Sequence, residues 1–231
     1  MKKEKKVIVL SLGGSLIFPG NIGTGYLKRL KEVLLKNKNK YKFVVVCGGG
    51  SLARKYIKAI DSEGGGEKFQ SLSGIAATRT NARFMNYFFE MEPKRGIPMT
   101  KESIKKYLNE LDIIFCGALR YKPDQTSDST SAQVAKEFDS IFINLTDVDG
   151  LYDKNPKEHK DAKLIKEISW KEFNKKAESM KFKPGQHFVL DQKASRIIMK
   201  NKIPTYIIGK RVRELDNLLN NRKFRGTKIR N

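Results

Sequence analysis

Five short runs of β-branched and aromatic residues recur along this 231-residue chain: VIVLSL (7–12), FVVVC (43–47), DIIFC (112–116), SIFINL (140–145) and TYIIG (205–209). A strand that reads as a near-continuous run of Val, Ile and Phe is buried on both faces, as in a parallel sheet covered by helices. The intervening segments have helical spacing. Leu27, Leu30, Val33 and Leu34 repeat within 26–36, and Leu52, Tyr56, Ile57 and Ile60 within 51–60, where Ser51 is placed as N-cap. Further helices are predicted over 74–90, in KESIKKYLNE after Pro98, over 128–138, in DQKASRIIMKN and in RELDNLLNN, with KFRGTKIR as a last short strand. Alternation of this kind predicts a three-layer α/β/α sandwich with an open, mainly parallel central sheet. Neither a repeat nor a low-complexity linker divides the chain, so residues 1–231 read as one domain, with a change of lobe near Gly117–Asp128.

Composition narrows the classes of function. The basic start MKKEKK leads into VIVLSLGGSLIF, but glycines break that run and no small-residue cleavage site follows, so neither a leader nor a membrane span is expected. Cys47 and Cys116 each close an apolar run and read as buried thiols of a reducing, cytoplasmic compartment. His159 and His187 complete no zinc spacing with them. The formal charge of +22 raises nucleic-acid binding, yet the lysines are scattered over every surface segment without an RNP or zinc-finger pattern. A basic surface equally concentrates small polyanions such as nucleotides.

Strand after strand ends in glycine or a small polar residue: Gly13-Gly14-Ser15, Gly48-Gly49-Gly50, Gly117 and Thr146-Asp147. In open parallel sheets ligands collect at that carboxyl edge. Glycine lets backbone N–H groups approach phosphate oxygens, and a helix starting there adds its positive end. Neither GxxxxGK[ST] nor GxGxxG occurs, and no Ser–His nucleophile can be assembled, so phosphate handling without a covalent step remains. Asp128 at a helix start is a cap or a catalytic carboxylate, and Asp191 opens the DQKAS helix similarly. The acidic turn DVDGLYD, with Asp147, Asp149 and Asp153, lacks calcium-loop spacing, and Asp149-Gly150 reads as a turn.

Taken in order, LGGSL (12–16), CGGGSLARKY (47–56), GIAATRTNA (74–82), QTSDSTSAQVA (125–135), INLTDVDGLYDKNP (143–156), FVLDQKAS (188–195) and KIPTYIIGK (202–210) resemble the amino acid kinase superfamily, and within it the archaeal-type uridylate (UMP) kinases. The resemblance covers nearly the whole chain. It implies transfer of the ATP γ-phosphoryl group to UMP, giving UDP and ADP, with Mg²⁺ carried by the nucleotide and no protein-held metal. It implies an acceptor-binding lobe over about 1–139 and an ATP-binding lobe over about 140–231. Carried over by motif, Gly14 and Ser15 contact ATP phosphates, Gly13 shapes the turn, and Gly50 and Arg54 lie on the ATP side. Thr146, Tyr152 and Asn155 line the adenine-nucleotide pocket. Gly49, Ser71, Gln125, Thr126 and Ser127 hold UMP, and Asp128, with Gly14 and Arg54, forms the catalytic set. The family also implies a homo-oligomer, commonly a hexamer built from dimers, in the cytoplasm with no nucleic-acid or membrane partner.

Three departures from the family pattern stand out. Many relatives carry lysine where Ser11 stands, and many have an aspartate that grips the ribose where Ser71 stands. The loop ALRYKPDQTS is longer than the usual archaeal GTxPGHTT, and Arg120 or Lys122 within it is a candidate to supply the missing charge. Alternatives are a same-fold kinase for another small phosphate such as isopentenyl phosphate, a nucleotide-binding protein without turnover, and a nucleic-acid module.

Overall fold

The structure, a computed structural model, describes residues 5–92, 96–121, 126–179 and 189–231. In chain order its elements are β1 (Lys6–Leu12), α1 (Gly14–Ile17), α2 (Thr24–Asn37), β2 (Tyr41–Cys47), α3 (Gly50–Ser62), α4 (Glu67–Phe88), α5 (Lys101–Leu108), β3 (Ile113–Cys116), α6 (Ser127–Glu137), β4 (Ile141–Leu145), β5 (Glu167–Ile168), α7 (Trp170–Ser179), α8 (Gln192–Lys200), β6 (Thr205–Ile208), α9 (Val212–Leu219) and β7 (Thr227–Ile229). The strands form one sheet in the order β3-β2-β1-β4-β6-β7-β5. From β3 to β6 all pairs are parallel; β7 runs antiparallel to β6, and β5 pairs parallel with β7.

The two-residue period of the strands sorts their side chains into two cores. Leu10, Leu12, Phe43, Val45, Phe115 and Ile143 face the layer of α2, α4 and α9, where Leu27, Leu30, Leu34, Met85 and Leu215 meet them. Val9, Val44, Val46, Ile114 and Phe142 face the layer of α5, α6, α7 and α8, where Ile104, Ala132, Phe173 and Ile198 meet them. Most of these side chains are fully buried, each stabilising the fold by about 1.5–3 kcal/mol relative to exposure. The expected sandwich with a mainly parallel sheet is therefore observed, and both halves of the chain share one sheet because β1 pairs with β2 on one side and β4 on the other.

Several local expectations are corrected. Helix α4 starts at Glu67, two turns before the predicted 74, because its first turns carry exposed Phe69 and Leu72 and so show no buried period. Ser51 does not cap α3. Gly49 is the cap residue, and the Ser51 hydroxyl donates instead to the Phe18 carbonyl at 3.0 Å. Strand β5 and helix α7 were not anticipated; β5 is two residues long, and α7 buries only Phe173 and Ala177 among charged neighbours. Cys47 and Cys116 are buried free thiols, on opposite faces of adjacent strands. Among the described residues no helix is long and apolar enough to cross a membrane.

Candidate active site

The strand order reverses between β1 and β4, since β2 and β3 continue to one side of β1 while β4 and β6 lie on the other. Such a switch point opens a crevice beyond the carboxyl ends of the two strands. Two polar residues interrupt the apolar runs there. Ser11 of β1 and Asn144 of β4 are register partners, both buried, and both on the strand face that packs against α6 and α8. A buried polar group is tolerated only with a partner, and each has one. The Ser11 hydroxyl donates to Asp128 Oδ1 at 2.8 Å, and Asn144 Nδ2 donates to the Val189 carbonyl just before α8.

Helix α6 delivers Asp128 to this point. The cap position is taken by Thr126, whose hydroxyl accepts from the Ser129 N–H at 3.1 Å while Ser129 returns the bond, forming a capping box. Asp128 is therefore not needed to cap α6, and its carboxylate faces Ser11. Burial first, and then the negative charge of Asp191, push its pKa up to about 7, while the Ser11 hydrogen bond pulls it down. Asp191 is the N-cap of α8, accepting from the Ala194 N–H at 2.8 Å, and its other carboxylate oxygen accepts from the Thr126 hydroxyl. Two carboxylates, each held by one hydroxyl, thus meet where α6 and α8 begin. Asp191 was foreseen only as the opening of its helix; its pairing with Asp128 had no sequence signal, because capping alone accounts for an aspartate there.

The two glycine turns are in contact. A Cβ on Gly14 would lie 2.1 Å from the Gly50 nitrogen, and one on Gly50 would lie 2.5 Å from the Gly14 carbonyl oxygen. Gly50 also has a φ of +60°, so glycine is required there by conformation as well as by space. Ser15 follows Gly14 in the first turn of α1, and Gly49 precedes Gly50 at the start of α3. Asn81 of α4, buried, donates to the Gly48 carbonyl at 2.7 Å and more weakly to that of Gly49 at 3.4 Å, fixing the second turn from behind. No motif logic singled out Asn81. Gly13 donates to the Leu145 carbonyl at 2.9 Å and Thr146 donates to that of Ile208 at 3.0 Å, so the ends of β1, β4 and β6 are stitched together.

The remaining predicted residues lie further out. Arg54 is exposed, one turn into α3. Ser71 is half-buried, two turns along α4 before Thr78. Ser127 begins α6, its carbonyl accepting from Ser131. Tyr152 bridges Leu164 and lies beside the Arg225 guanidinium, and Asn155 holds its own turn through Lys157 N–H at 3.1 Å and Glu158 at 2.7 Å. In the acidic turn Asp147 pairs with Lys157, Asp149 with Arg225 at 2.6 Å, and Asp153 accepts from the Lys163 N–H at 2.8 Å. Arg120 is exposed, its charge acting on Glu102 of α5. Gln125, Lys122 and His187 lie outside the described residues.

Among the described residues no three carboxylate, histidine or cysteine side chains gather to cage a metal. Asp128 and Asp191 suit a hard divalent cation that takes its other ligands from phosphate oxygens and water. Chemically, the arrangement offers backbone N–H groups at two touching turns and two helix starts beside a carboxylate pair.

The profile of the amino acid kinase family matches residues 6–209. A uridylate kinase of Methanococcus aeolicus is 32% identical over 217 residues, covering 93% of this chain and 95% of that protein. One from Hyperthermus butylicus is 32% identical over 211 residues, 89% of each. The crystal structure of uridylate kinase from Archaeoglobus fulgidus superposes with a TM-score of 0.82 at 29% identity, covering 97% of this chain and 99% of that one.

Proposed function

This chain belongs to the amino acid kinase family, and we propose that it is a uridylate kinase, moving the γ-phosphoryl group of ATP to the phosphate of UMP. One observation carries the reading: the Gly14 and Gly50 turns pack backbone to backbone beside the Asp128–Asp191 pair at the switch point. Two touching anion-binding turns suit two phosphate chains meeting end to end. Gly14 and Ser15 would receive the donor phosphates, with Gly50 and Arg54 beside them, and Gly49 the acceptor phosphate. Thr126, Ser127, Gln125 and Ser71 serve the acceptor side, within the lobe up to about residue 139. Thr146, Tyr152 and Asn155 serve the adenine nucleotide, within the lobe from about residue 140.

The acceptor is a phosphate oxygen, already ionised at neutral pH because a phosphate monoester has its second pKa near about 6. No general base is required, and in-line positioning with charge neutralisation supplies the acceleration. Asp128 therefore acts by orienting groups at the junction of the two nucleotides, and Asp191 shares that task. Magnesium entering with ATP would offset the phosphate charge, with Asp128 and Asp191 as its protein-side contacts. Buried, unpaired Cys47 and Cys116 fit a cytoplasmic setting.

The alternative acceptors have less support. His159 lies in the loop after β4 rather than by the Gly48–Gly50 turn, where an isopentenyl phosphate kinase would use a histidine. The deciding measurement is ADP release from ATP and Mg²⁺ with UMP, CMP, dTMP, AMP and isopentenyl phosphate in parallel. UMP is expected to be the best acceptor; no turnover with any of them overturns the kinase reading, and turnover only with isopentenyl phosphate overturns the assignment of UMP.

A further inference from the structure

One turn of α4 grips both sides of the acceptor region. Asn81 holds the carbonyls of Gly48 and Gly49, as described above. Three and two residues earlier, Thr78 and Arg79 hold the chain where it leaves β3. The Ala118 N–H donates to Thr78 Oγ1 at 2.9 Å. Arg79 Nε donates to the Ala118 carbonyl at 3.2 Å, and Arg79 Nη2 donates to the Leu119 carbonyl at 2.6 Å. Gly117 makes this approach possible, because a Cβ there would lie 2.7 Å from both the Arg79 nitrogen and Thr78 Oγ1. Thr78 itself is buried and anchored to the Ile75 carbonyl at 2.7 Å.

We propose that Arg79 is a positioning residue for the acceptor nucleotide. With Thr78 and Asn81 it makes the 78–81 turn of α4 a fixed spacer between the phosphate turn at Gly48–Gly49 and the Gly117–Leu119 segment at the end of β3. The inference rests on the uridylate kinase reading and deepens it, since that segment leads into the residues assigned to UMP. The chemistry favours arginine specifically. The Nε and Nη2 groups lie on one rigid edge of a planar fork and satisfy carbonyls of two consecutive residues, which a lysine ammonium on a flexible stem does not reproduce. Two charge-assisted bonds and one buried hydroxyl bond fix the Ala118 N–H and the carbonyls of Ala118 and Leu119, two buried residues just past β3. The spacing set by this turn decides how far the acceptor's sugar and base can lie from its phosphate. Selectivity among acceptors, rather than the phosphoryl step, is what Arg79 controls.

The test uses the full-length enzyme as Arg79→Lys and Arg79→Met, with Thr78→Val as a milder variant that keeps shape and removes one acceptor. UMP binding is read by calorimetry without ATP, and KM, kcat and acceptor preference are read from ADP release. Both Arg79 variants are expected to weaken UMP binding and raise its KM by about tenfold or more, with ATP KM within about twofold and kcat changed less than KM. Lysine gives no rescue, the preference for UMP over CMP narrows, and Thr78→Val shifts UMP binding in the same direction by a few-fold. UMP binding and KM within about twofold of wild type in a folded variant overturn the proposal, as does a fall in kcat with both KM values unchanged. If the Arg79 variants do not fold, Thr78→Val decides on the same readouts. A wild-type enzyme that binds and phosphorylates no UMP removes the reading beneath the proposal, an outcome distinct from failure of the Arg79 variants alone.

Discussion

At the scale of single residues, Asp128 concentrates the consequences of the fold. Replacing it with asparagine keeps its size and removes the charge, and kcat is expected to fall by about two orders of magnitude or more with smaller effects on nucleotide binding. A wild-type kcat would return Asp128 to an ordinary first-turn residue. Its pKa of about 7 in the folded state lies above the ordinary aspartate value of 3.8, so the folded protein holds that proton more tightly than the unfolded chain does. Stability from this group is therefore present at low pH and is lost as pH rises toward 7. Asp128→Asn should accordingly melt higher than wild type at pH 8, with the gap closing toward pH 4; equal melting temperatures at pH 8 would contradict the raised pKa. Ser11→Ala removes the one interaction that lowers this pKa, so the acid limb of kcat is expected to move to higher pH. Part of this was legible in the sequence. Asp128 was marked by its place at a predicted helix start and Ser11 by standing where relatives carry lysine, whereas the buried Asn144 beside Ser11 appeared only with the strand pairing. Asp191 was masked by its adequate role as a cap, and Asn81 by being one polar residue among several on a long helix.

At the scale of elements, the contact between the α1 and α3 turns is the arrangement most exposed to test. Gly14→Ala would place a methyl group 2.1 Å from the Gly50 nitrogen, a separation that only backbone movement can relieve. The two turns must then part, and ADP release is expected to drop at least about a hundredfold, since misplacement by about 1 Å costs that much. Near-wild-type turnover in Gly14→Ala would show that the two turns do not need contact. Strands β1 to β4 and the glycines after them were readable because burial on both faces leaves few polar positions to confuse the pattern. The start of α4 was not readable: EKFQSLS mixes exposed Phe69 and Leu72 with serines, and the helix there gains little from packing on the core. Helix α7 has only Phe173 and Ala177, one turn apart, to mark its buried side. Its register is set by contact with α8, a tertiary fact that no local period carries.

At the scale of the whole molecule, the alternating runs implied a parallel sandwich, whereas the switch between β1 and β4 follows from strand order and became visible only in the sheet. The homo-oligomer implied by the family resemblance is a proposal for this chain, and α3 is where it can be tested. That 13-residue helix buries none of its residues, while Tyr56 and, on neighbouring α4, Phe69 and Leu72 are exposed. Its charge is polar along the axis, with Arg54 and Lys55 in its first half, Lys58 just past the middle, Asp61 in its last turn and Glu63 at its C-cap. A two-fold contact pairs a surface with itself. Two antiparallel copies of α3 crossing near Ala59 would bring each Lys55 toward Glu63 of the partner subunit, so the sequence is complementary to its own reverse. Exposed ion pairs contribute only about 0–1 kcal/mol, so in such a contact charge would select the register while burial of Tyr56, Phe69 and Leu72 would supply the affinity. Tyr56→Asp is therefore expected to lower the mass measured by light scattering, and Lys55→Glu to weaken association more mildly. Exchanging both charges, Lys55→Glu with Glu63→Lys, should restore it. An unchanged mass for Tyr56→Asp would move the contact off this helix, and failure of the double exchange to recover what Lys55→Glu loses would rule out the antiparallel register.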